Sequence, residues 1–302
     1  MPRLLRLLVV VLGACSAPAT LSELTTAERR ADAGDVDGAI AAYRAAQVAC
    51  KKLQPARRAI AACGEALLGE AETLDHAGRT PAAIAAYLAI PARAGDTATA
   101  AIAVYRAGEL LLAHHEVEPA WTALWRVVTD YPDEAPASDA LRTLLRDGRR
   151  RDPRALVDEM GRILTPLADT QIADNLLWSM ADLHAHELGN PEAARALYDR
   201  IPVDTPTSGL RDDARWLAAQ MSLQLHDPEG AVRRLRGLLA TREVAYFTGS
   251  YFSVWLDDAQ LLLGKLLRDE LHDLPGAIAA LRRLPKDYPA SILRDDALYE
   301  LA

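Results

Sequence analysis

The chain has 302 residues and a formal net charge of −8; half of it is hydrophobic, yet only 5% is aromatic, with two Phe. An acidic chain lacks the electrostatic footprint for phosphate backbones, and few strand-favouring residues argue against a sandwich or barrel. Charge and hydrophobicity near globular averages argue against disorder. Much of the apolar half is Ala, the best helix former, so the composition predicts an all-α chain.

The N-terminus reads MPRLLRLLVVVLGAC. Arg3 and Arg6 form a positive start and Leu7 to Leu12 a short apolar core. That core is too short to span a bilayer, which needs about 20 residues, and it reads as an export signal over residues 1–14. Its end, Leu12-Gly13-Ala14-Cys15, resembles the bacterial lipobox, an aliphatic residue and two small residues before Cys. The resemblance implies that Cys15 becomes the lipid-modified N-terminus, and that Ser16 rather than Asp after it directs the protein to the outer membrane. Acyl chains would anchor the folded part through a tether over residues 15–21. Cys50 and Cys63 remain, and an exported chain can oxidise them. Cys50 lies closer to the intervening turn than Cys63, an unfavourable axial offset, so a disulfide and two buried small residues both stay open.

From residue 22 onward a unit recurs. Ala39, Ala83, Ala120, Ala194, Ala231 and Ala277 are each followed four residues on by Tyr or Leu (Tyr43, Tyr87, Leu124, Tyr198, Leu235, Leu281). A third apolar residue follows at plus seven (Ala46, Ile90, Val127, Ile201, Leu238, Leu284). Plus four and plus seven share a helix face. Pro shortly before most anchors marks a helix start, and Thr80, Asn190 and Asp227 stand where N-caps belong. An earlier helix carries Leu67, Tyr105, Trp178, Trp216 or Leu261, then a small residue (Ala71, Gly108, Ala181, Ala219, Gly264) that lets two helices approach. The 74-residue gap from Ala120 to Ala194 is twice the neighbouring spacing of 37. It predicts a degenerate unit at about 138–165, with its second helix near Pro153 to Leu164. The expected architecture is an α-solenoid of about seven antiparallel helical hairpins over residues 22–302, closed by a terminal helix near Ser291 to Ala302.

This pattern resembles the tetratricopeptide repeat (TPR), a helix–turn–helix unit. Asp130-Tyr131-Pro132 and Asp287-Tyr288-Pro289 close their units, and Asp-rich helix starts recur at Asp212-Asp213 and Asp257-Asp258, where the acids would cap the helix and complement its dipole. "Tyr-Pro, then Asp-Ala-Leu-Tyr" is similar to cell-envelope members of the superfamily, of the Tol–Pal-associated and β-barrel-assembly lipoprotein type. The resemblance implies a TPR-like superhelix that binds peptides or helices of other envelope proteins in a concave groove. The expected role is a scaffold or adaptor at the periplasmic face of the outer membrane. The alternative is an accessory superhelical domain of a cell-wall enzyme such as a lytic transglycosylase.

No catalytic motif is present: no nucleophile elbow, no phosphate-cradling Gly loop and no zinc-protease His pair. No cofactor, metal site, nucleic-acid partner or enzymatic activity is expected. His76, His115, His186, His226 and His272 share one landmark, just before the turn into a second helix, where His favours the carbonyl end of the first. Trp121 and Trp125, four residues apart, read as packing residues. One segment breaks the period: Tyr246, Phe247, Tyr251, Phe252 and Trp255 lie within ten residues of an aromatic-poor chain. Tyr and Trp are enriched in binding hot spots. The cluster is therefore the candidate partner contact, with packing of Phe252 and Trp255 on the preceding unit as the other reading.

Overall fold

The computed structural model describes residues 22–242 and 253–302. Among the described residues there are fifteen α-helices and no strand. They come as seven hairpins and a last helix. The hairpins are α1 (Ser22–Asp32) with α2 (Val36–Ala49), α3 (Ala56–His76) with α4 (Thr80–Ala89), α5 (Thr97–Ala113) with α6 (Val117–Asp130), and α7 (Ala135–Gly148) with α8 (Pro153–Leu164). Then follow α9 (Ala173–His186) with α10 (Pro191–Asp204), α11 (Arg211–Gln224) with α12 (Pro228–Leu239), and α13 (Leu256–Asp269) with α14 (Leu274–Asp287), before the short α15 (Arg294–Glu300). The helices group into two compact units, Met1–Ala120 and Trp121–Ala302, with α6 crossing the division. Inside each unit most successive helices pack on one another. None of the described helices is long and apolar enough to cross a membrane.

All eighteen apolar repeat positions named above are buried, six Ala anchors among them. Small residues on the facing helix make that packing possible. A Cβ on Gly264 of α13 would come within 2.6 Å of Leu281 of α14, so Leu281 fills the place a side chain would take. The fourth hairpin inverts this arrangement. Its anchor position is Leu156, followed by Met160 and Ile163, all buried. The bulk of Leu156 is met by Gly148 on α7, where a Cβ would lie 2.7 Å from Leu156 and 2.8 Å from Trp121. Volume is conserved across the helix pair while the residue types exchange sides. The Trp121 indole N–H donates to Asp147 at 2.7 Å, which satisfies the polar edge of this half-buried ring.

In six of the seven hairpins, all but the fourth, the turn holds one residue in the left-handed region. Gly34, Gly78 and Gly189 take it with φ of 76°, 69° and 58°, and His115, His226 and His272 take it with 63°, 55° and 53°. Two turn forms occur. In four hairpins the left-handed residue and its successor donate back across the helix end, as in Gly34 N–H to Ala31 and Asp35 N–H to Arg30, or His226 N–H to Leu223 and Asp227 N–H to Ser222. This is the Schellman pattern. The fifth and seventh hairpins add a Glu-Leu pair. Leu188 and Leu271 donate to Leu183 and Leu266, and Asn190 and Asp273 reach six residues back. The five histidines of the shared landmark thus divide. His76 and His186 end their helices, and the other three replace glycine. A Cβ in left-handed backbone is unfavourable by about 1–2 kcal/mol. His226→Gly is expected to raise the unfolding free energy by up to about 1 kcal/mol, read as a higher urea midpoint.

The capping expectations need correction at two places. Asn190 and Asp227 do cap, accepting from Ala193 N–H at 3.0 Å and Gly230 N–H at 2.8 Å. Asp35, Asp152 and Asp273 do the same. Thr80 does not: it is the first residue of α4, and Arg79 stands at the cap without a side-chain bond. Arg79 reaches across to Asp37 of the first hairpin at 2.6 Å and holds that carboxyl below its ordinary range, first by the hydrogen bond and then by charge. The Asp pairs of α11 and α13 lie in the first helical turn but make no cap bond; Leu210 and Trp255 occupy those caps. One acid of each pair instead accepts from the segment that follows its hairpin: Asp213 from the Trp255 indole, and Asp257 from the Ser291 hydroxyl at 2.6 Å. Asp174 of α9 accepts in the same way from Ser208 at 2.6 Å, again across 34 residues. Each of these serines also accepts a backbone N–H, Ser208 from Leu210 and Ser291 from Leu293.

The last helix is shorter than its segment suggested. Ala297 is buried, and Glu300 pairs with Lys265 at 3.1 Å and Arg268 at 2.6 Å. Ile292 and Tyr299 remain 91% and 80% exposed, so an apolar strip faces solvent at this end.

Candidate interaction surfaces

Of the residues singled out in the sequence, Cys15 and the aromatic residues Tyr246, Phe247, Tyr251 and Phe252 lie outside the described residues. Trp255 is described. It sits half-buried at the start of α13, its ring stacked on Trp216 of α11 with centroids 5.1 Å apart and planes 8° apart. Its indole N–H donates to Asp213. Trp255 therefore joins two successive hairpins.

Cys50 and Cys63 are disulfide-bonded, with Cα atoms 5.3 Å apart. The axial offset that argued against the bond is taken up by the chain between them. A 3-10 turn at Cys50–Lys52 extends the end of α2. The first two turns of α3, a helix of 21 residues against 14 in α2, run beyond that end to bring Cys63 alongside. Next to the bridge, Gln47 of α2 is buried and donates to the Ala66 carbonyl at 3.1 Å and to Glu70 at 2.7 Å. Arg93 donates to the Gln47 side-chain oxygen, and Arg44 to Glu70 at 2.7 Å. Each of these polar groups has its partner within the network, so it reads as a polar joint between hairpins rather than an open site.

Among the described residues no three His, Cys, Asp or Glu side chains stand close enough to hold a metal ion. His184 on α9 is half-buried with no partner at Nδ1. Burial first, then the Arg154 charge, lowers its pKa below the ordinary 6.5, opposed by Asp158. The unfolded chain thus takes this proton more readily than the folded one, and stability is lost as pH falls through and below that range. His184→Gln is expected to flatten the drop in urea midpoint between about pH 7.5 and about pH 5.5.

Two hollows in the second unit have lining that the sequence did not point to. One, of about 410 Å³, is polar and lies between the loop 168–171 and the loop 204–209, beside Asp174 and Ser208. The other is a groove of about 450 Å³ between α12 and α14 with α13 as its floor. Leu263 and Leu267 of the floor and Ala280 on the α14 side are buried. Arg236 and Arg283 stand at the rim and are exposed. Gln260 lines the floor at 1% exposure. Its Nε2 donates to the Ala280 carbonyl at 2.9 Å, and its Oε1 has no donor.

Residues 258–291, which span this groove's α13 and α14, match the tetratricopeptide repeat family model. The matched stretch runs from Asp258, the second acid of the α13 pair, through Pro289 to Ser291, which bonds back to Asp257. The other hairpins share its buried positions, and among the described residues the fold is all-α and built of helical hairpins. Comparison with curated protein sequences gives no match. Among solved structures, a TPR repeat-containing protein from Cytophaga hutchinsonii is similar at 11% identity and a TM-score of 0.47, over 91% of this chain and 99% of that one. A TPR protein from Parabacteroides merdae is similar at 13% identity and 0.35, over 92% and 97%. PilF from Pseudomonas aeruginosa is similar at 13% identity and 0.33, over 92% and 96%.

Proposed function

We propose that the chain is a protein-interaction adaptor, carried on a lipid at Cys15 at the periplasmic face of a bacterial outer membrane. The observation that carries the interaction reading is the succession of seven hairpins with buried repeat positions and open hollows between helices. Repeat stacks of this kind present extended surfaces to peptides and helices of other proteins. The lipobox-like Leu12-Gly13-Ala14-Cys15 after a short basic and apolar leader supports the address. A disulfide in the first unit is in keeping with an oxidising compartment.

Two measurements test the two halves of the reading. Cys15→Ala is expected to move the chain from the membrane fraction to the soluble fraction, and unchanged membrane association would remove the lipid anchor. Crosslinking in whole cells, followed by mass spectrometry, is expected to join the chain reproducibly to a small set of envelope proteins. A chain crosslinked to nothing above background would be a structural spacer instead.

A further inference from the structure

We infer that Cys63 is the entry point for thiol–disulfide exchange on this chain. It takes a mixed disulfide from a small, carboxylate-bearing disulfide in the hollow beside it, and Cys50 closes the bond from inside the hairpin. This goes beyond the adaptor reading and holds whether or not the chain carries a lipid.

Three observations carry it. The first is that the two sulfurs differ in access. Cys50 is fully buried at the end of α2, whereas Cys63 on α3 is half-buried and lines a hollow of about 280 Å³. Access decides which sulfur takes part in the first exchange. The second is the charge of that hollow. Gln47, Lys51, Leu67, Ala92 and Arg93 line it with Cys63, so it holds two cations and no acid. Lys51 is exposed and makes no ion pair among the described residues. Arg93 donates to the side-chain oxygen of Gln47, an uncharged partner that fixes the guanidinium without cancelling its charge. Glu70, two turns along α3, is already held by Arg44 and Gln47. Cations beside a thiol favour its thiolate, the attacking form, and they attract an anionic reactant. The third observation is proximity. The Cα atoms of Cys50 and Cys63 are 5.3 Å apart, so a mixed disulfide on Cys63 lies within reach of the Cys50 sulfur without a movement of the helices.

In the reduced chain the Cys63 thiolate attacks one sulfur of the small disulfide RS–SR. A bond forms between that sulfur and Cys63, and the other half leaves as RS⁻. Cys50 then gives its proton to water, and its thiolate attacks the Cys63 sulfur and expels the second RS⁻. The two thiolates take up the two protons that the cysteines released. Two electrons have passed from the cysteines to the small disulfide, which ends as two thiols, and the bond seen in the structure remains.

The test uses the full chain in detergent, reduced and then freed of reductant. The probes are oxidised glutathione, which is anionic, and cystamine, which is cationic. Peptide mass spectrometry places each adduct on its cysteine, which keeps Cys15 out of the reading. Cys50→Ala is expected to accumulate a lasting adduct on Cys63, while Cys63→Ala leaves Cys50 modified at least about tenfold more slowly. In denaturing urea the two cysteines should react alike, which ties the difference to burial. In the reduced parent chain, the first mixed disulfide trapped by acid should also sit on Cys63, a result that needs no substitution. Lys51→Glu, added to Cys50→Ala, is expected to slow oxidised glutathione and speed cystamine, changing the ratio of their rates at least about tenfold, and less in high salt. Circular dichroism at the assay temperature checks that each variant is folded. Cys50 modified as fast as Cys63 in the folded chain, or first in the parent, overturns the entry point. A rate ratio indifferent to Lys51→Glu overturns the anionic class of reactant. Neither outcome bears on the adaptor reading, which the crosslinking experiment tests separately.

Discussion

Tyr198→Ala is expected to lower the unfolding free energy by about 3–5 kcal/mol. Tyr198 is the plus-four residue of the fifth hairpin and is fully buried. Its ring meets Trp178 of the facing helix edge-on, with centroids 5.4 Å apart and planes at 69°. Truncation removes the ring and opens a cavity that rigid neighbouring helices do not fill. The hydroxyl acts in the opposite direction. It is buried with no hydrogen-bond partner, and burial pushes its pKa well above the ordinary tyrosine value. Tyr198→Phe keeps the ring and removes an unsatisfied group, so it is expected to leave stability unchanged or raise it by about 1 kcal/mol. Urea unfolding followed by circular dichroism reads both. Equal losses in the two variants would mean that the hydroxyl, not the ring, holds the hairpin.

The second large effect is expected at the disulfide. Cys50 and Cys63 enclose a short loop, with a sequence separation of 13. Cross-linking a loop of that size stabilises by about 3 kcal/mol through restriction of the unfolded chain. The double variant Cys50→Ala, Cys63→Ala is expected to lose about that amount, and reduction of the parent chain should reproduce the loss. The damage should be local. Hydrogen exchange is expected to accelerate in α1 to α3 and to remain slow in α9 to α12. A parent chain indifferent to reductant would show that the hairpin packing alone holds this region.

Most of the fold was legible because helix packing repeats. A small anchor, a larger residue one turn on and a third at plus seven leave the same trace wherever they occur, and the burial of Ala39, Tyr87, Ile201 and Leu284 is what that trace means physically. The fourth hairpin was faint because Leu156 takes the anchor place and Gly148 the facing one. A pattern written in residue types misses an exchange that conserves volume. Polar roles were harder to read. An acid in the first turn of a helix looks the same in sequence whether it caps that helix or accepts from Ser291, 34 residues on. Cys50 and Cys63 depended on how far α3 overruns α2, a matter of length that spacing alone did not reveal. The groove had no trace at all. Its parts come from three helices, and Gln260 within Asp-Asp-Ala-Gln reads as an ordinary polar position until its burial is known. The aromatic segment stood out by composition, and of it only Trp255 is placed, against Trp216.

The two serine-to-aspartate bonds across 34 residues carry a consequence for how the second unit comes apart. Ser208 ties the loop before α11 to α9, and Ser291 ties the loop before α15 to α13. If one hairpin melts, its neighbour loses not only apolar cover but also a donor to a half-buried carboxylate. Adjacent hairpins are thereby penalised for existing alone, which raises the free energy of a boundary between ordered and disordered repeats. A chain with steep boundaries opens in blocks rather than fraying residue by residue. Under a pulling force, or in the grip of a protease that unravels its substrates, such a repeat stack would yield in discrete steps of more than one hairpin. Ser208→Ala would then shorten the step before it weakened the whole.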